Sequence, residues 1–163
     1  MTDEDLAARV RLGPYHERAG IELLRVAPGE VDVALTAAEH DLNAAGLVHG
    51  GVIAGLADTA CGLAVRAALQ PGLLQVTAQL SVAYLAPAPL GRIVARGRAL
   101  RVGRRAAYAE ADVTDAGGAL LARAAATFVV LPEGRGGRGG PVSTRRPAPP
   151  SPRGASRRGR RGP

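Results

Sequence analysis

Asp58 stands where an acid is least expected. Between Asp41 and Arg66 it is the only Asp, Glu or Arg, in LNAAGLVHGGVIAGLADTACGLAV. From Val52 onward the residues are small and aliphatic for about five helical turns. A helix apolar all round is a buried helix, and a carboxylate on one is costly unless it is paired, hydrogen-bonded or at work. Upstream stand Asn43, His49, Gly50 and Gly51. Gly50 would begin the helix, where unpaired N–H groups and the positive end of the helix dipole point outward. Its missing side chain lets another molecule's carbonyl approach closely. Donors for a developing negative charge and an acid that can aim a water are thus carried on one element.

Those residues also carry a resemblance. Asn43, His49-Gly50-Gly51 and Asp58, the run HGGVIAGLADTA, and the downstream TAQLSVAYLAPA with its Tyr-x-x-Pro strand end resemble the hotdog-fold acyl-CoA thioesterases of the PaaI type. The likeness extends from about residue 21 to 131. It implies an α+β hotdog fold, a curved antiparallel sheet around one long helix. It also implies hydrolysis of an acyl- or aryl-acyl-CoA thioester to free acid and CoA, with no cofactor beyond the CoA of the substrate and no metal. By the resemblance, the Gly50 amide is the oxyanion donor. Asp58 is general base or nucleophile, and Thr77, on the strand after the helix, holds the water.

The other candidates follow from chemistry. Asn43 can donate an amide N–H to the thioester, or shape its loop. His49 can touch the substrate, or set the turn. Coenzyme A carries phosphates that favour arginine, and Arg101, Arg104 and Arg105 cluster at one hairpin end. His16, His40 and His49 lack metal-ligand spacing. Cys61, three residues past Asp58, reads as a small buried hydrophobe. Two alternatives share the fold, a non-catalytic acyl-CoA-binding protein and a dehydratase. A dehydratase uses a catalytic His with an acid on the helix, whereas here His49 precedes the helix that carries Asp58.

Gly50 and Asp58 are eight residues apart, about 12 Å along one helix. Both cannot grip one carbonyl, so the site should be shared in a homodimer or homotetramer.

The rest of the chain must position these residues. Residues 1–20 read as an N-terminal helical segment, with a helix over 3–18 limited by Gly13-Pro14. Residues 21–132 form the catalytic domain. Ile21 to Val26 and Val31 to Leu35 make a hairpin around Ala27-Pro28-Gly29-Glu30. Thr36 to Gly46 is a loop. The helix runs to Leu69 and stops at Gln70-Pro71-Gly72. Strands follow over 74–85, 91–102, 105–114 and 120–131, which completes an α+β plan.

Residues 133–163 are Arg-, Gly- and Pro-rich, without an apolar face, and are expected to be disordered. They hold nine arginines and one acid, against twelve arginines and thirteen acids before them. The net charge of +7 therefore belongs to the tail. The tail could touch a nucleic acid only in a sequence-blind way, since it lacks aromatics for stacking, and an extension without function is the favoured reading. The chain is 47% hydrophobic, but only Phe128, Tyr15, Tyr84 and Tyr108 are aromatic, so the core must be aliphatic. A single cysteine and an acidic start without a signal-peptide pattern suggest a cytoplasmic protein. Asn43, Asp58 and the many Ala and Gly argue for a core helix rather than a membrane span.

Overall fold

The computed structural model describes residue 6 and residues 9–134. The tail from 135 onward, and residues 1–5, 7 and 8 of the N-terminal segment, lie outside the described residues; residues 10–13 are not helical, so the helix expected over 3–18 is interrupted before Pro14.

Gly13-Pro14 does more than limit a helix. It starts one, α1 (Pro14–Arg18), with proline in the first turn. There its fixed φ suits the helix and its missing N–H costs nothing. The hairpin follows as β1 (Glu22–Ala27) and β2 (Glu30–Ala37), turning at Gly29 with φ +75°. β2 outlasts the expected strand by Thr36 and Ala37, because Ala37 is buried and pairs with Gly91 across the sheet. A short 3₁₀ turn (Glu39–Asp41) leads to α2 (Gly50–Ala68). β3 (Leu73–Tyr84), β4 (Gly91–Val102), β5 (Ala106–Asp115) and β6 (Leu120–Pro132) complete the chain.

The strands form one antiparallel sheet in the order β1-β2-β4-β5-β6-β3. β2 lies near one end and β3 forms the other edge. α2 connects them, so the chain must carry this helix across the sheet. The sheet's inner face is small: Ala95, Ala107, Ala109, Ala111, Ala122, Ala124 and Ala126 are all buried. Small side chains let helix and sheet approach closely. The approach is close at Gly97 of β4, where a Cβ would lie 2.2 Å from the Ala60 carbonyl oxygen. Phe128, the chain's one phenylalanine, is fully buried and lies against Gly62.

α2 is long and apolar enough to cross a bilayer, but ten of its residues are buried within this fold. It is not covered all round, as a uniformly apolar helix would lead one to expect. Gly51, Gly55, Asp58, Gly62 and Arg66 form one open stripe at helical spacing. At the far end Arg66 donates to the Leu73 carbonyl and to Glu133. The Glu133 N–H donates to the Gly72 carbonyl at 2.8 Å. Glu133 therefore belongs to the folded body.

Candidate active site

Asp58 sits midway along the open stripe and is half-buried. Side chains on a helix lean toward its N-terminus and stand over the neighbouring turn. From β3, Thr77 reaches across and its hydroxyl donates to Asp58 Oδ1 at 3.0 Å. Oδ2 remains available to a water. Burial pushes the Asp58 carboxyl above the usual range, while the Thr77 hydrogen bond and the charge of His16 on α1 pull it back down. Raising the pKa of an acid makes its anion a better base. β3 can aim Thr77 at α2 because a bulge at Ala78 shifts the register between Thr77 and Gln79, and bulges re-aim side chains. Cys61 lies beyond the acid. Burial, with the charge of Asp58, pushes its thiol up to about 12, so it holds no thiolate near neutral pH.

The helix start is built by its neighbours. His49 is the N-cap, and its Nδ1 accepts from the Gly51 N–H at 2.9 Å. The Val52 N–H goes to the His49 carbonyl at 3.0 Å. Gly50 is the first helical residue, and its own N–H has no intrahelical acceptor. The Tyr84 hydroxyl donates to the Gly50 carbonyl at 2.9 Å. The Tyr84 ring lies close enough that a Cβ on Gly50 would meet it at 3.3 Å. Tyr84 was legible only as part of a strand-end motif; its brace on Gly50 is a contact across 34 residues. Asn43 turns its Oδ1 to the loop, accepting from Ala45 N–H at 2.9 Å and Leu47 N–H at 3.2 Å. That leaves the Nδ2 donor for other use. Asn43, Gly50, Ile53, Tyr84 and Leu121 line one cleft of about 350 Å³.

One chain thus makes two half-arrangements. Asn43, His49 and Gly50 gather at the helix start, and Asp58 joins Thr77 about 12 Å further on. Nothing among the described residues closes that gap.

Arg101, Arg104 and Arg105 line a third place, the open end of the β4–β5 hairpin, together with Tyr108 and Thr127. Thr77 pairs with Phe128, Phe128 with Ala107, and Ala107 with Val102. The hairpin therefore ends beside the row of residues that carries Thr77, roughly 14 Å away across three strand spacings. Other arginines of the sheet are committed elsewhere. Arg92 pairs with Glu22, Arg96 with Asp32, Arg98 with Glu30 and Arg123 with Asp112. Among the described residues, Arg101, Arg104 and Arg105 form no ion pair, which leaves their charge for an anion.

The chain is similar to known thioesterases. The family model of the thioesterase superfamily matches residues 45–122. Human acyl-coenzyme A thioesterase 13 is 33% identical over 105 residues, covering 63% of this chain and 74% of that protein. The 1,4-dihydroxy-2-naphthoyl-CoA hydrolase of Listeria monocytogenes is 27% identical over 114 residues, covering 70% of this chain and 93% of the relative. A solved variant of the phenylacetic acid degradation protein PaaI from Thermus thermophilus superposes with a TM-score of 0.66 at 30% identity, covering 72% and 98% of the two chains. With one helix crossing an antiparallel sheet and a relative one-third identical over most of its length, this chain belongs to the thioesterase superfamily and is a thioester hydrolase with the PaaI-type hotdog fold.

Proposed function

We propose that the protein hydrolyses acyl-CoA thioesters, with acyl or aryl-acyl groups, at sites shared between two subunits. The observation that carries this reading is the Asp58–Thr77 hydrogen bond on the open stripe of α2, on the same helix that begins with Gly50 but a full site's width away. Two copies related by a twofold axis supply what one lacks. Asp58 and Thr77 of one subunit then face Gly50 and Asn43 of the other.

The sheet favours such a pairing. β3 is an edge strand of 12 residues with no charge, LLQVTAQLSVAY, and Val76 and Tyr84 on it are more than half exposed. A long, uncharged, exposed edge must be covered or it aggregates. Two β3 strands meeting antiparallel would cover it and bring the two helices together. A homodimer is the minimal assembly, and two dimers make the homotetramer expected from the sequence.

In the proposed reaction, Asp58 takes a proton from the water that Thr77 helps to hold. The water oxygen attacks the thioester carbon. Charge gathers on the carbonyl oxygen, where the Gly50 N–H of the partner subunit and the helix dipole stabilise it. Asn43 supports the same oxygen with its free amide N–H. Collapse breaks the carbon–sulfur bond, and the proton leaves Asp58 for the CoA thiolate. Water and Asp58 close the balance, so no cofactor is required. Arg101, Arg104 and Arg105 hold the CoA phosphates. His49 acts as the helix cap, which ties the ring a dehydratase would need as its base to the Gly51 N–H. A lone buried cysteine suits the cytoplasm, where thiols stay reduced.

The test is complementation. Asp58→Asn and Gly50→Val are each inactive alone. Refolded together in equal amounts, about half the dimers are mixed, and each mixed dimer holds one site with both residues intact. Activity should return to about a quarter of wild type. Proven mixing without recovery, or an active monomer by ultracentrifugation, would refute the shared site.

A further inference from the structure

The N-terminal helix has entered the chemistry so far only through the charge of His16, yet it lies on the catalytic stripe. The hydroxyl of Tyr15 sits so close to Gly55 that a Cβ there would meet it at 2.5 Å. Its ring meets the His16 imidazole edge-on, with centroids 5.5 Å apart. Gly55 precedes Asp58 by three residues, about 4.5 Å along the axis. Tyr15 therefore stands immediately N-terminal of the acid.

The opposite direction leads to the arginines. Gly62 is one turn past Asp58 and packs against Phe128, and Phe128 pairs toward the β4–β5 hairpin. A thioester with its carbon over Asp58 and its CoA on Arg101, Arg104 and Arg105 must send its acyl group the other way. That way runs past Gly55 and Tyr15 into a cleft of about 460 Å³, lined by Ile21, Leu35 and Leu56 and also by the polar Arg18, His40 and Asp41. Ile21, Leu35 and Leu56 are buried and give it an apolar floor. Its volume lies within the usual range of small-molecule sites.

We propose that this cleft beneath the N-terminal helix receives an apolar acyl group, aliphatic or aryl, and that Tyr15 at its mouth sets how long a chain it accepts. The inference rests on the reading of Asp58 and the arginines given under Proposed function. Tyr15 is half exposed and its hydroxyl makes no hydrogen bond among the described residues, so its ring can be removed without stranding a hydrogen-bond partner. Gly55 offers a second handle on the same contact. An added methyl there displaces the tyrosine hydroxyl, the far end of a movable side chain, rather than backbone.

The experiment compares kcat/KM for hexanoyl-, decanoyl- and phenylacetyl-CoA in wild type, Tyr15→Ala and Gly55→Ala, all checked as folded oligomers. Tyr15→Ala should raise the decanoyl-to-hexanoyl ratio by about tenfold, the scale at which a pocket discriminates methylenes. Gly55→Ala should move the same ratio, and inhibition by free CoA should keep its wild-type constant in both variants. An unchanged ratio in both variants overturns the proposal. So does weakened CoA inhibition with an unchanged ratio, which would put the CoA rather than the acyl group under Tyr15. A wild-type enzyme inactive on every acyl-CoA would overturn the functional reading itself, and the acyl pocket with it.

Discussion

Asp58→Asn separates catalysis from stability, because the same burial acts on both. Asparagine keeps the size of the side chain and an Oδ1 that can accept from Thr77, 3.0 Å away in the native protein. What it loses is the base. Removing a positioned base costs about 10²–10⁴-fold in rate, or about 2.7–5.5 kcal/mol of transition-state stabilisation. Stability should move the other way. Burial is the largest influence on Asp58 and raises its pKa above the ordinary 3.8; the hydrogen bond from Thr77 and the charge of His16 offset only part of it. An acid whose pKa is raised on folding binds its proton more tightly in the native state. Stability is then highest at low pH and falls as pH rises from the unfolded value through the raised native value. Asparagine never ionises and escapes that loss. The variant should therefore melt above wild type at pH 7, and the difference should vanish as pH falls below about 4, where wild-type Asp58 is protonated in both states. Steady-state hydrolysis followed with a thiol-reactive dye and thermal melts across this pH range read both effects. Near-native turnover would remove Asp58 from the mechanism. A lower melting temperature at pH 7 would mean that the carboxylate is net stabilising and that burial does not dominate its environment.

Thr77→Val removes the bond that lowers the Asp58 pKa, so the acid limb of the kcat–pH profile should shift to higher pH, with kcat at pH 7 falling by up to about tenfold. An unmoved limb would show that the threonine does not act on the acid. Gly97→Ala forces a methyl against the backbone carbonyl of Ala60, which cannot rotate away, and should cost about 1–3 kcal/mol in denaturant unfolding; a neutral effect would mean that helix and sheet separate freely. Truncation after Gly134 removes nine arginines and keeps the Glu133–Arg66 pair, so melting temperature and turnover should hold while retention on a polyanion column falls. A large loss of stability would show that the tail packs on the body.

Much of this was legible in the chain alone. The order of elements followed from period and punctuation: Gly29 and Gly72 in turns, and one unbroken apolar run long enough for a single core helix. Asp58 was conspicuous because an isolated acid in such a run is costly wherever the chain folds. The distance from Gly50 to Asp58 also followed without coordinates, since a helix fixes its rise per residue. The scarcity of aromatics implied an aliphatic core, and the alanine-lined sheet is how that core closes.

Other features depended on contacts between distant segments. Local pattern does not say which strand sits beside which, so β3 could not be placed at the sheet's edge beside β6, with its uncharged length exposed. The open stripe on α2 departs from a reading by hydropathy alone, because the sheet covers only part of a helix made mostly of small and aliphatic residues. Period could not show that Thr77 turns toward α2, since a bulge at Ala78 breaks the alternation. The pressing of Tyr15 onto Gly55 and the bond from Tyr84 to Gly50 join residues 40 and 34 positions apart. Such contacts cost chain entropy to close and are set by the packing of the whole body. Sequence therefore determined which residues could do the chemistry, and tertiary structure decided which of them meet.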